Sequence, residues 1–217
     1  MTTRALSVTA LLLSLTVLVA PVFASNVAAN QGPIVNLWTT LGSDPFPSLT
    51  AVSPLVGGAF TLPALHASSG AYATQVFAQA NGHLVFVYEV SVDPTPPNPA
   101  NADVQKLSTG DWDDSITVDA ALWSFGGGQI TPSGINRLNG VITMYFQTPL
   151  LKPGQTSYIM LLYTNATDYT KDTLGIQDGA GTTVSGFVPL APTPEPATLS
   201  LLGFGIAGLG ILRKKRS

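Results

Sequence analysis

The chain has 217 residues, a formal net charge of −3 and no cysteine, which excludes disulfides, thiolate catalysis and cysteine metal sites. The charge is unevenly placed. Arg4, Arg213, Lys214, Lys215 and Arg216 lie in the two ends, so between Ser25 and Pro196 only Lys106, Arg137, Lys152 and Lys171 face all 12 acidic residues, 4 minus 12 or a formal −8. A region so short of cations lacks the electrostatic footprint of a nucleic-acid or polyanion binder, and its length fits one domain once the targeting ends are set aside.

Residues 1–24 read as a secretory signal peptide. Arg4 supplies the positive start, Ala5–Ala20 the apolar core and Pro21 its break, and Val22-Phe23-Ala24 sets a cleavage site between Ala24 and Ser25. Residues 25–33 are small and polar and read as a flexible entry to a β domain over 34–190. Ile34–Leu41 and Gly57–Leu65 are candidate strands, and Pro45, Pro47 and Pro54 between them oppose a long helix. Ala71–Ala80 suits a strand or a short helix.

His83–Val92 is the clearest strand. Leu84, Phe86, Tyr88, Val90 and Val92 recur at period two. Asn81-Gly82 ahead of it is a hairpin signal. Pro94, Pro96, Pro97 and Pro99 then impose an irregular loop. Ile116–Trp123 alternates again and ends at Gly126-Gly127-Gly128. Val141–Thr148 and Thr156–Thr164 follow, joined through the turn sequence Lys152-Pro153-Gly154-Gln155. Tyr158–Tyr163 is apolar on both faces, as a central strand between two covered surfaces would be. Shorter strands at Leu174–Gln177 and Thr182–Phe187 complete an all-β domain. The expected architecture is an antiparallel β-sandwich of the jelly-roll or immunoglobulin-like kind, with Trp112 and Trp123 as large core fillers.

Candidate chemistry is sparse. Asp111, Asp113 and Asp114 form the densest acidic cluster, a set of oxygens suited to calcium on a loop, or else a solvated turn in which Asp111 and Asp113 make Asx-type bonds. Trp38, Tyr72, Trp112 and Tyr169 would make a sugar-stacking platform if exposed together, and core or strand-surface residues if not. His66 and His83 form no metal-ligand pattern. A secreted hydrolase would need two carboxylates in one cleft, and Glu89 with Asp93 is the pair the sequence offers. No other cofactor is suggested.

The C-terminal stretch has three parts. Pro194 and Pro196 hold Glu195 in an extended, accessible segment within the proline-rich linker 191–196. Ala197–Leu212 carries no charge and reads as a transmembrane helix, at ~24 Å a short one for a bilayer core. Arg213, Lys214, Lys215 and Arg216 in the tail 213–217 stop transfer and stay cytoplasmic by the positive-inside rule. This order of motif, glycine-bearing apolar tract and basic end resembles the PEP-CTERM sorting signal. The resemblance implies processing by an exosortase, delivery by the export machinery through an inner-membrane intermediate with the domain periplasmic, and a final place at the cell surface or in the extracellular matrix. It further implies a biofilm or exopolysaccharide setting, and for a β domain without a catalytic motif the expected role is non-enzymatic, structural or adhesive. Leu84–Tyr88, Leu151–Ser157 and Asn165–Tyr169 are similar to stretches of other exported proteins with this tail, in which they belong to a β-rich secreted domain without assigned chemistry. A carbohydrate- or calcium-binding module is the alternative expectation.

Overall fold

A computed structural model describes residues 27–28, 38–63, 68–96, 102–124 and 129–191. The signal peptide, His66, the triple glycine and the tail from residue 192 lie outside them. The described residues form fourteen strands in two sheets and no α-helix.

The larger sheet holds nine strands. They are β1 (Thr39–Thr40), β2 (Thr50–Ala51), β3 (Val56–Thr61), β4 (Ser69–Ala78), β5 (Leu84–Val92), β7 (Val118–Trp123), β8 (Gln129–Ile130), β11 (Thr156–Ser157) and β12 (Ile159–Thr164). Its order is β1-β7-β12-β5-β4-β3, with β2 also beside β4 and the pair β11-β8 continuing from β5. The smaller sheet runs β14 (Ala180–Pro189), β13 (Tyr169–Asp178), β6 (Lys106–Thr109), β10 (Val141–Tyr145) and β9 (Gly134–Leu138). Pairing is antiparallel except for β1 on β7 and β8 on β11, which are parallel and two residues long.

The period-two pattern sets which side chains meet. Leu122, Met160, Tyr88 and Thr74 form one row across the larger sheet, and Ala120, Leu162, Phe86 and Val76 the next. They face Leu107, Met144, Ile135, Ile142, Leu174 and Ile176 of the smaller sheet, and the two sets share one buried core. This is the face-to-face packing of a β-sandwich. Tyr88 crosses it, its hydroxyl donating to the Phe187 carbonyl of the other sheet at 3.3 Å. Burial raises the phenol's pKa far above its ordinary value. Val27 also belongs to this core, 1% exposed, with its N–H on the Val118 carbonyl at 2.7 Å. The packed domain therefore reaches into what the sequence suggested was a flexible entry.

The strand expectations fare unevenly. β4 and β5 form the anticipated hairpin, closed at Gly82 with φ +82. The segment Thr156–Thr164 is broken at Tyr158 into β11 and β12, and β12 is buried throughout, as its apolar faces required. The turn at Lys152–Gln155 exists, with the Gln155 N–H on the Lys152 carbonyl, but it passes the chain from one sheet to the other. The two short C-terminal strands are in fact ten residues each and pair along their whole length. β10 falls within the expected strand Val141–Thr148, while β6, β9 and the hairpin that β9 makes with β10 have no counterpart in the sequence reading. The hairpin turns on Asn139-Gly140, both at positive φ (51 and 73), the two-residue geometry that suits twisted strands.

Candidate functional site

The acidic loop lies between β6 and β7, where the chain crosses from the smaller sheet to the larger. Trp112 is driven into the core, 1% exposed, its ring edge-on to Phe86 at 5.3 Å and its Nε1–H donating to the Thr109 hydroxyl. Asp113 folds back on its own turn. One carboxylate oxygen accepts from the Ser115 N–H (2.8 Å) and the Ser115 hydroxyl (2.6 Å), and those bonds hold its pKa below the usual carboxylate value. Beneath the loop lies Arg137, on the core side of β9 in one row with Ile142, Thr109 and Leu174. Its guanidinium donates to the carbonyls of Ile116 (2.6 Å), Trp112 (3.2 Å) and Asp113. Burial lowers its pKa, and the carboxylates of Asp114 and Asp113 oppose that shift. The loop is thus fastened from below by a cation. Among the described residues no three carboxylate or imidazole groups are placed to hold a metal ion. Asp111, Asp113 and Asp114 do not converge, and the Asx-turn reading fits Asp113.

The four aromatic residues do not form a platform either. Trp112 is core, which corrects its place in a stacking set. Trp38 leads into β1 at one edge of the larger sheet, while Tyr72 is on β4. Four inter-strand steps of ~4.8 Å put them roughly 19 Å apart. Tyr169 is half-buried edge-on to Phe187, with its hydroxyl on the Val52 carbonyl at 2.7 Å. Trp38, Tyr72 and Tyr169 all pack against the core. His83 sits in the β4–β5 turn with Nδ1 3.2 Å from the Asn81 amide.

The outer face of the larger sheet carries a feature that sequence patterning missed. Val85, Val87, Ala121, Ile159, Leu161 and Tyr163 form a second buried cluster, against which Leu41, Phe46, Leu49, Phe77 and Trp123 pack. Phe46, on a short 3-10 turn (Phe46–Ser48), contacts the rings of Phe77 and Trp123 at 5.2 and 5.3 Å. Trp123 therefore fills this outer cluster instead of the inter-sheet core. Beside Phe46 lies a groove of about 140 Å³, lined mainly by Phe46, Leu55, Phe77, Val87, Ile159 and Glu89. The Glu89 carboxyl is half-buried there, and desolvation raises its pKa. On the same face Asp119 is directly opposite Tyr163, and burial pushes the carboxyl up and the phenol to about 12.

Glu89 and Asp93 are four residues apart on nearly continuous strand, ~13 Å at strand rise. This backbone spacing is wider than the carboxyl separations of the two glycosidase geometries. Asp93 is not among the residues that line the groove with Glu89. Among its described lining residues the groove holds one acid, Glu89, in a largely apolar setting.

The remaining functional segment is the tail, outside the described residues. The fold and the sequence together define an exported all-β protein. Residues 192–216 match the family model of the PEP-CTERM protein-sorting motif, which marks the chain as an exosortase-targeted protein of the cell envelope or surface. The match includes Pro194, Glu195, Pro196 and the basic cluster Arg213–Arg216. No curated protein and no solved structure matches the chain.

Proposed function

We propose that this chain is a non-enzymatic structural or adhesive protein of the cell surface or extracellular matrix. It enters export through the signal peptide 1–24 and pauses in the inner membrane on the helix 197–212. An exosortase then processes it at or near Pro194-Glu195-Pro196, which are substrate residues and not catalytic ones. Its setting is a biofilm or exopolysaccharide matrix. The observation that carries this reading is the sorting motif over residues 192–216, attached to a β domain in which the acidic and aromatic candidates serve the core and its loops. The alternatives of a calcium or sugar module gain no support from those residues.

Intact mass of the protein from its native host, in membrane and extracellular fractions, tests the proposal. The expected species lacks residues 1–24 and the tail beyond about Pro194, and is found outside the cell. A species that keeps Arg213–Ser217 in the membrane, with an active exosortase present, would leave a plain anchor and overturn the sorting step.

A further inference from the structure

The edges of the two sheets differ in a way that points to self-association. On one side the edge strands are guarded: β1 and β8 are two residues long, and β9 is five residues long with Arg137 turned inward. On the other side lie β3 and β14, which pack together. β14 has ten residues, neither strand carries a charge, and the one proline, Pro189, is at the far end of β14. Natural sheets guard long edges with charges, prolines, bulges or shortness, because an open row of N–H and C=O groups templates another strand.

The register shows which groups are open. The Leu190 N–H donates to the Asp168 carbonyl, one step beyond the pair Tyr169↔Pro189. Bonded and non-bonded pairs alternate in an antiparallel ladder. The even residues of β14 therefore bond to β13, and the odd residues aim their N–H and C=O away from it. Phe187 confirms the parity, since its carbonyl accepts from Tyr88. Phe187 and Val188 are buried, whereas Gly181, Thr183 and Ser185 are exposed. Among the described residues β13 is the one strand hydrogen-bonded to β14.

We propose that a second copy of this chain pairs antiparallel along Gly181–Ser185, about a twofold axis at Thr183. In that register Gly181 faces Ser185 of the other copy and Thr183 faces its own mate. The outward N–H and C=O groups of all three are satisfied reciprocally, and the two smaller sheets become one. Small uncharged side chains suit a self-complementary contact. A chain whose central region has a formal charge of −8 meets a copy of itself most readily where it carries no charge. This inference is independent of the sorting step.

The chain has no cysteine, so single thiols can be placed on a clean background. In the full-length protein, Thr183→Cys and Gln147→Cys, the latter exposed and away from the edge, are compared under oxidation. Thr183→Cys is expected to give a covalent species of twice 22.5 kDa, at least ~tenfold in excess over Gln147→Cys, because facing Cα atoms at ~5.5 Å are within disulfide reach. Gly181→Cys mixed with Ser185→Cys is expected to cross-link where neither does alone. Thr183→Lys sets two cations face to face, and Ser185→Pro removes an N–H that the monomer does not use. Each is expected to abolish the dimer in sedimentation without lowering the thermal midpoint by more than a few degrees. Equal cross-linking at 147 and 183, no cross-linking at either, or a dimer that survives both edge variants would overturn the proposal.

Discussion

Replacing Arg137 with Met tests whether the acidic loop is held from below. The guanidinium donates to three carbonyls, those of Trp112, Asp113 and Ile116. Asp113 is exposed and water can take over its bond, but Trp112 and Ile116 are each 1% exposed. A buried acceptor that loses its partner costs about 1–3 kcal/mol, so two cost about 2–6. Against this, Met removes a desolvated cation whose Nε has no hydrogen-bond partner among the described residues, and apolar replacements of buried charge recover some of the loss. A net loss of about 2–4 kcal/mol follows, or roughly 4–16 °C in thermal midpoint at 2–4 °C per kcal/mol for a domain of this size. Arg137→Lys keeps the charge but not the fork, and should fall between the two. Urea titration of the full chain, followed by Trp fluorescence, reads both the loss and the loosening of Trp112. The reasoning is refuted if Arg137→Met unfolds within about a degree of the parent, or if Lys costs as much as Met.

Leu161→Ala and Leu162→Ala should each cost about 2–5 kcal/mol in the same titration, although they point to opposite faces of β12, because both are 0% exposed; a silent Leu161→Ala would mean that the outer cluster is not packed. Gly70→Ala should destabilise by at least ~1–3 kcal/mol, since its Cβ would lie 2.0 Å from the Ser91 carbonyl oxygen and force β4 from β5, which circular dichroism melting would show. Glu89 has a pKa raised by desolvation, so its ionisation opposes folding. The native state binds the proton more tightly, and stability falls as pH rises from the unfolded carboxyl value through the folded one. Glu89→Gln should therefore raise the melting midpoint at pH 7 and make no difference near pH 3; an equal gain at both would assign the effect to packing.

What the sequence discloses depends on where each strand's neighbours come from. β5 is legible because its alternation is complete and its turn is local. Its second face is not: Val85 and Val87 are buried by Phe46 and Leu49 from a distant segment, a contact no period can announce. The β9–β10 hairpin had a readable Asn-Gly turn, but Arg137 stands at a core position of β9 and breaks the apolar alternation that would have named the strand. β14 lacks the pattern for the opposite reason. Its first six residues are exposed or half-exposed, and Thr, Gly and Ser there have no core to answer to. The acidic cluster was visible, but whether it gathers a cation or is itself gathered by one depended on Arg137, more than twenty residues away in the chain.

These placements restrict where the domain can act. The larger sheet is covered by the smaller sheet on its inner face and, over β5, β7 and β12, by the Phe46 segment on its outer face, beside which the Glu89 groove lies. The outer face of the smaller sheet is open, and its residues are mostly polar: Gln177, Lys106 and Tyr145 form one row, and Gly175, Ser108, Thr143 and Asn136 the next. Lys106 lies 5.7 Å from the Tyr145 ring centre, which sets a cation and an aromatic side by side on that surface. The short hydroxyl and amide side chains of this face present hydrogen-bonding groups at many points. With β14 at its border, the same sheet is the one that pairing with a second copy would extend, so self-association would double this face. That is the arrangement by which multivalent contact gains avidity without any single strong site.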